Sequence, residues 1–493
     1  MTTSTSTSTT HTTGSHSAAL AAWAARVPDA PHTTSLTFRG DALAAAVGLV
    51  TSGLGSPYVL YERDSLLHVA AGAAGLLRMT ARHLTAEAQG GSWTLPVTGP
   101  ALAPVTEAFE ALSTVQAGVR GAYGWAAFEL AHLLHGAGGS EPSLSVPAGG
   151  SGGATPLAGD PSGLGDLLCL FIPAVEVVLS PGEATVSAVS PHLLDTAARL
   201  LTAPSARRAP GPATPVEAGD GDPEAYRTAV AKVIGDIRAG RLDKAVLSRT
   251  VPLDGAAPVD LPATYLAGLA ANTPARSFLL DLGGWQAAGF SPETVVEAVP
   301  GGRVTTQPLA GTRALSQDPA ENHRLRAELL ADPKEVHEHA VSVRLACQEL
   351  GGVCATGSVL VEEFMAVRER GSVQHLASRV AGRLREDRGP WDAFAALFPA
   401  VTATGAPKTE ALAALQRYED GPRGLYGGAV ITADTAGALD AALVLRTVFR
   451  RGERTWLRAG AGIMRDSTPD REFEETCEKL RSVAPHIRRR PRS

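Results

Sequence analysis

Cysteine is scarce in this chain, and what there is has no pattern. Only Cys169, Cys347, Cys354 and Cys477 occur in 493 residues, far apart and without a CxxC pair. That spacing excludes a disulfide framework and a cysteine zinc site, and predicts reduced, partly buried thiols of a cytoplasmic protein. Long apolar runs are missing too: none reaches the roughly 18 residues that a bilayer-spanning helix needs, so no membrane partner is expected. Charge of one sign is also in short supply, the net charge being −6, and nothing calls for nucleic acid. The opening MTTSTSTSTTHTTGSHS lacks the basic start and apolar core of a signal peptide. Its Ser/Thr composition predicts a disordered tail over residues 1–17.

What is present is apolar material for a core, 44% of the residues. The length suits two or three average domains or one large two-lobed one. Residues 18–221 form an N-terminal half. Helical stretches are expected at Ala18–Arg26 and Ala42–Val50, and strands at Tyr58–Glu62 and Gly124–Glu129. Gly136–Gly165 is rich in Gly, Pro and Ser and reads as a surface insertion. Leu167–Leu179 has the apolar density of a buried strand, Pro191–Thr202 reads as a helix, and residues 204–221 read as a connector. Asp222 then caps a helix with Pro223 at its first position, and Tyr226, Val230, Val233 and Ile237 follow helical spacing up to Gly240. Lys244–Val251 is expected to be a strand. Strands and helices alternate through residues 222–487, which makes the class mixed α/β (α+β). Arg488, Arg489, Arg490 and Arg492 end the chain as a basic tail over residues 488–493, expected to fray in solvent.

Chemistry-bearing side chains gather in this second half. Lys244 enters a strand; as a general base it must be uncharged part of the time, which takes desolvation or a second cation nearby. Glu293 follows a Ser-Pro turn beside an apolar strand, a setting that raises a carboxyl pKa and suits a general acid; the bland alternative is an exposed turn glutamate. Thr312 ends a tight apolar turn, Gln307–Thr312. Glu335 and Glu338 stand at i, i+3 on a helix, as do Glu472 and Glu475, with Lys479 at i+7 from Glu472. Two such helices make an oxygen-rich site suited to Mg²⁺. The alternatives are ordinary surface pairs, Lys334 with Glu338 and Glu475 with Lys479. His337 and His339 belong beside such a site rather than in it. Gly460 and Gly462 leave backbone N–H groups accessible to an anion. His375, Thr402, Tyr426 and Arg446 interrupt apolar contexts, and a buried Arg requires an anion.

In chain order, LSR, SPE, PLAGT, KE..EH, VQHL, FPAVTATGAPK, PRGLYGGAV, ALVLR, RAGAGI and EFEETCEK resemble the chorismate-utilising enzymes over about Asp222–Val483. EVHEHAVSVR, VRERGSVQHL and DGPRGLYGGAV, with YVLYER and YGWAAFE in the N-terminal half, are most similar to the salicylate synthases of that superfamily. The resemblance implies a large two-lobed fold of mainly antiparallel sheets flanked by helices. It implies that Lys244 deprotonates the water attacking C2 of chorismate and Glu293 protonates the departing C4 hydroxyl. Glu338, Glu472 and Glu475, with Glu335 nearby, would hold Mg²⁺. Tyr426, Arg446, Gly460, Gly462 and Lys479 would line the carboxylate pockets, Lys479 anchoring substrate rather than pairing with Glu475. His375 and Thr402 would bound the ring, and Thr312 would lie among the substrate contacts. The positive field of Mg²⁺, Arg446 and Lys479 would ease deprotonation of Lys244. Anthranilate-forming relatives commonly carry Gln at position 244 and draw ammonia from a glutaminase, so Lys244 favours water and no glutaminase partner. Thr402, where isochorismate synthases tend to carry Ala, favours loss of pyruvate and a salicylate product for siderophore or other secondary metabolism. The alternatives are an isochorismate synthase and a non-catalytic chorismate-binding protein. A monomer is expected.

Overall fold

The computed structural model describes residues 16–51, 53–116, 118–136, 165–203, 213, 216–253, 255 and 257–490. Residues 1–15, residues 137–164 of the expected insertion and most of 204–221 lie outside that set. Every strand pair is antiparallel. Two limbs of sheet share the long strands Leu66–Met79 and Leu168–Ser180, which pair along nearly their whole length. One limb runs from Leu66–Met79 through Tyr58–Arg63, Arg276–Leu282, Trp285–Ser291, Thr447–Arg451 and Arg454–Ile463 to Lys244–Pro252. The other runs from Leu168–Ser180 through Gly121–Ala126, Ala429–Asp434, Leu439–Leu443, Thr294–Val299 and Arg303–Thr306 to Val373–Arg383. Strands from before and after the 204–221 connector therefore pair directly in both limbs.

Period-two alternation explains how the limbs pack. Val59, Tyr61, Phe278, Leu280, Trp285 and Phe449 of the first limb share one buried cluster with Tyr123, Trp125, Val430 and Ala442 of the second. Their neighbours Leu60, Leu279, Ala288 and Phe290 face the other way, into a larger core backed by helices. Phe290 stacks on Tyr265 of the Leu261–Leu269 helix at 6.0 Å between ring centroids. No helix among the described residues is long and apolar enough to cross a membrane.

Local readings mostly match. The Pro191–Thr202 helix has the expected bounds, and Asp222 accepts a 2.9 Å bond from the Ala225 N–H to cap Pro223–Arg238. Two differ. Gln307–Thr312 is not a closed turn: Leu309–Ala314 is a strand whose pairing shifts register between Ala310 and Thr312. Gly311, at φ +80°, makes that irregularity, a conformation few side chains tolerate. The basic tail does not fray over its described part. Arg488 bridges Ala213, Arg489 bridges Val259, and the Arg490 N–H donates to the Pro258 carbonyl at 2.9 Å. Residues 491–493 lie outside the described set.

Candidate active site

The outer strands of the two limbs meet at one pocket, whose space measures about 770 Å³ with the open solvent at its mouth included. Two helices close it, and each begins on a proline. Asp332 accepts bonds from the N–H groups of Lys334 and Glu335 to start Pro333–Gly351, and Pro469 starts Pro469–Leu480. The first helix turns Glu335 and Glu338 inward. The second does the same for Glu472, Glu475 and Lys479, as the spacing predicted. Glu293, Thr312, Glu338, His375, Thr402, Tyr426, Arg446, Gly460, Gly462, Glu475 and Lys479 all line the pocket. Lys244, Glu335 and Glu472 sit just behind that lining.

Lys244 is fully buried, and its Nζ stands 2.8 Å from Glu338 Oε1 and 3.4 Å from Ser342 Oγ. The expected desolvation is present. The alternative to desolvation, a second cation nearby, is not what stands beside it: that neighbour is a carboxylate. Gly462 makes the pairing possible. It lies in extended backbone opposite Val246, and a Cβ there would run into the Glu338 carboxylate and come within 3.3 Å of Lys244 Cε. Gly460 likewise leaves room for the Tyr426 hydroxyl, 2.8 Å from where a Cβ would stand. These glycines therefore serve close approach of side chains, and it is the Gly460 carbonyl that is engaged, accepting from Lys479 Nζ at 2.9 Å. Gly462→Ala is expected to split the Lys244–Glu338 pair and to slow a reaction that uses Lys244 by about tenfold or more, since a displacement of an ångström at a reacting group costs roughly a hundredfold. Steady-state kinetics on the variant checks this.

Glu293 is 3% exposed, and burial pushes its carboxyl up to about 8 despite the Thr402 hydroxyl, which donates to Glu293 Oε1 at 2.6 Å. At neutral pH it holds its proton, as a general acid requires. Thr402 reaches Glu293 from a different loop, a contact that spacing could not show.

Arg446 is buried at φ +50°, a strained position for a side chain this long. It donates to the Arg370 carbonyl at 2.8 Å and to His375 Nε2. Guanidinium only donates, so Nε2 must be the accepting nitrogen. The proton then sits on Nδ1, which faces the Gly311 carbonyl at 3.3 Å and Thr312 Oγ1 at 3.0 Å. Burial, then Arg446, holds the His375 pKa well below the usual value, so the ring is neutral. Among the described residues no carboxylate stands within ion-pair distance of Arg446. Burial, then Arg370, works against its charge. An anionic ligand would supply the missing counter-charge.

The four glutamates are crowded. Burial, then Glu475 and Glu338, raises Glu335, whose Oε2 accepts the Thr312 N–H at 2.9 Å. Burial, then Glu475, raises Glu472. Glu475 lies low: burial would raise it, but Lys479 and then Lys334 outweigh that. Glu472 Oε2 is buried with no hydrogen-bond partner. Each of three carboxylates is turned onto a lysine: Glu338 onto Lys244, Glu475 onto Lys479 at 2.8 Å, and Glu472 onto Lys334 at 3.0 Å. As they stand, no three or more His, Cys, Asp or Glu side chains among the described residues are grouped to hold a metal ion. Lys479 pairs with Glu475 along one helix face, the contact given above as an alternative, with both side chains desolvated. The other alternative is not formed: Lys334 reaches across to Glu472 rather than along its own helix to Glu338. His339 lies beside the site, its Nε2 bonded to Ser378 Oγ at 2.6 Å.

Sequence reading missed Arg458, which also lines the pocket, and Glu419, which holds Arg458 at 2.8 Å and Arg423 at 2.6 Å. Strand alternation carried the signal for Arg458, since positions 458, 460 and 462 share one face.

The family described as chorismate binding enzyme matches residues 81–485. A salicylate synthase from Mycolicibacterium paratuberculosis is 51% identical over 266 residues, 54% of this chain and 59% of that protein. Component 1 of anthranilate synthase from Haloferax volcanii is 41% identical over 273 residues, 55% of this chain and 52% of that protein. The chain thus spans only between 52% and 59% of the length of these curated relatives. Among solved structures, the menaquinone-specific isochorismate synthase of Escherichia coli aligns with TM-score 0.66 and 21% identity, covering 96% of this chain and all of that one. Anthranilate synthase component I from Streptococcus pneumoniae aligns with TM-score 0.65 and 24% identity, covering 85% of this chain and 92% of that one. At such identities these two likenesses establish the mixed, antiparallel fold and no more.

Proposed function

Because the chain belongs to the chorismate binding enzyme family, we propose that it converts chorismate through isochorismate to salicylate and pyruvate. One observation carries the reading: a carboxyl group that keeps its proton at neutral pH, Glu293, and a buried arginine with no carboxylate at ion-pair distance among the described residues, Arg446, line one pocket, with the buried Lys244 just behind it against the lining residue Glu338. Arg446 and Lys479 take the two carboxylates of the substrate, with Tyr426 and the Gly460 strand as the floor and His375 and Thr312 against the ring. Lys244 removes a proton from the water that bonds to C2. Glu293 delivers its proton to the C4 hydroxyl, which leaves as water, so the first step is an isomerisation. The hydrogen on C2 then passes to the methylene carbon of the enolpyruvyl group as the C3–O bond breaks, which releases pyruvate and leaves the ring aromatic.

Glu335, Glu338, Glu472 and Glu475 would hold Mg²⁺. The donors fit a hard cation: all are carboxylates, they raise one another, and Glu472 offers a buried oxygen with no partner. The ion would neutralise this cluster and bind a substrate carboxylate. Water chemistry needs no glutaminase subunit, and a monomer in the cytoplasm suffices. The substrate region is assigned to residues 222–487.

The Thr402–Glu293 bond favours a second reading. A hydroxyl already donating to the general acid is not free to hold the pyruvyl chain, and an enzyme so built would release isochorismate. Purified protein given chorismate and Mg²⁺ should yield salicylate and pyruvate in equal amounts, and EDTA should stop turnover. Isochorismate accumulating without salicylate sinks the second step. Thr402→Ala is expected to shift the product from salicylate towards isochorismate; an unchanged product ratio would leave Thr402 a holder of Glu293 alone.

A further inference from the structure

We propose that Lys334 is the resident counter-cation of the carboxylate cluster, holding it together when no divalent cation is bound and competing with that cation for Glu472. This rests on the magnesium reading above. Lys334 sits in the first turn of the Pro333–Gly351 helix, the end where the helix dipole disfavours a positive charge. Helix energetics therefore do not explain an ammonium there. Its Nζ instead crosses to the other helix, 3.0 Å from Glu472 Oε1, and also stands 3.8 Å from Glu335 Oε1.

The other two lysines of the cluster have further ties within the site, Lys244 to Ser342 and Lys479 to the Gly460 carbonyl. Lys334 has its side chain about a quarter exposed, 25%, so its flexible stem has a way out to solvent. Glu472 completes the picture. One oxygen is held by Lys334, and the other is buried without a partner, so a single ammonium satisfies only part of what this carboxylate can bind. A divalent cation held by Glu472 would compete with Lys334 for this carboxylate.

The test titrates the full-length chain with Mn²⁺ alone, followed by electron paramagnetic resonance. Lys334→Gln is expected to bind Mn²⁺ about tenfold more tightly than the unaltered protein, since one positive charge about 4 Å away is gone. Lys334→Arg, which keeps the charge, should stay within about twofold. The metal-free Gln variant should also melt at a lower temperature, with a larger gain on adding Mn²⁺. Affinity unchanged or weakened in Lys334→Gln overturns the proposal, because a lysine that merely staples two helices would leave metal binding no tighter. If no form of the protein binds Mn²⁺, the magnesium reading falls with it; equal binding in all forms overturns only the role of Lys334. A second measurement needs no variant. Acylation of Lys334 by an amine-directed reagent, read by peptide mass spectrometry, should rise when Mn²⁺ is added to the unaltered protein. Labelling that does not change would count against displacement.

Discussion

Lys244→Ala is expected to lower chorismate consumption by about 10²–10⁴-fold, the usual contribution of a positioned general base. The same substitution removes one half of a buried ion pair and leaves Glu338 without its 2.8 Å partner. Losing one member of such a pair typically costs about 3–5 kcal/mol. The variant should therefore melt earlier, and addition of Mg²⁺ should recover part of that loss. Two measurements separate chemistry from structure. Circular dichroism establishes that the variant is folded at the assay temperature. Supplied isochorismate then bypasses the step that needs a base, so its cleavage should persist when chorismate turnover is lost. Equal loss of both reactions would mark Lys244 as a structural residue whose burial serves only to seat Glu338.

Glu293→Gln has effects of opposite sign on activity and stability. The amide has no proton to give to the leaving hydroxyl, so turnover should fall by about 10²–10⁴-fold. The folded carboxyl titrates at about 8 against an ordinary value of 4.5. Its folded-state value is raised, so the folded protein binds the proton more tightly than the unfolded chain. Stability is then greatest below about 4.5, and Glu293 removes part of it as pH rises towards 8. A shift of this size corresponds to on the order of 5 kcal/mol once the group is ionised in both states. Glutamine cannot ionise, so above pH 8 the variant should melt later than the unaltered protein, and the gap should shrink as the pH falls towards 5. The rate profile follows from the same group: kcat/KM of the unaltered protein should decline as pH rises through about 8. A flat profile there, or a variant less stable at pH 9, would show that Glu293 is ionised in the fold and cannot be the acid.

Particular residues show how far the sequence carries. The helix spacing of Glu472, Glu475 and Lys479 is local geometry, and by itself it places all three on one face. The same spacing leaves open whether Lys479 answers to Glu475 or to a ligand, because a periodicity says which side a residue is on and nothing about what waits there. Arg446 is marked by the cost of burying a guanidinium, and among the described residues the fold leaves it without a carboxylate at ion-pair distance. Thr402 and Glu293 lie 109 residues apart, and their bond depends on two loops meeting, which no local pattern encodes. Gly311 reads in the sequence as part of a turn; the pairing partner that makes it a strand irregularity, His375 with Thr312, comes from another part of the chain.

Read by itself, this sequence determined the element types, the inward faces of two helices, the absence of any zinc or disulfide pattern and, through its motifs, a resemblance to one family. Those follow from backbone periodicity and side-chain chemistry, which act over a few residues. Only the tertiary structure decided the pairings: Lys244 on Glu338, Lys334 on Glu472, the hydroxyl of Thr402 on Glu293, and an arginine left without an anion. Each is a balance of desolvation against a charge brought from a distant part of the chain. That balance exists only once the limbs of the sheet have folded together and buried these side chains.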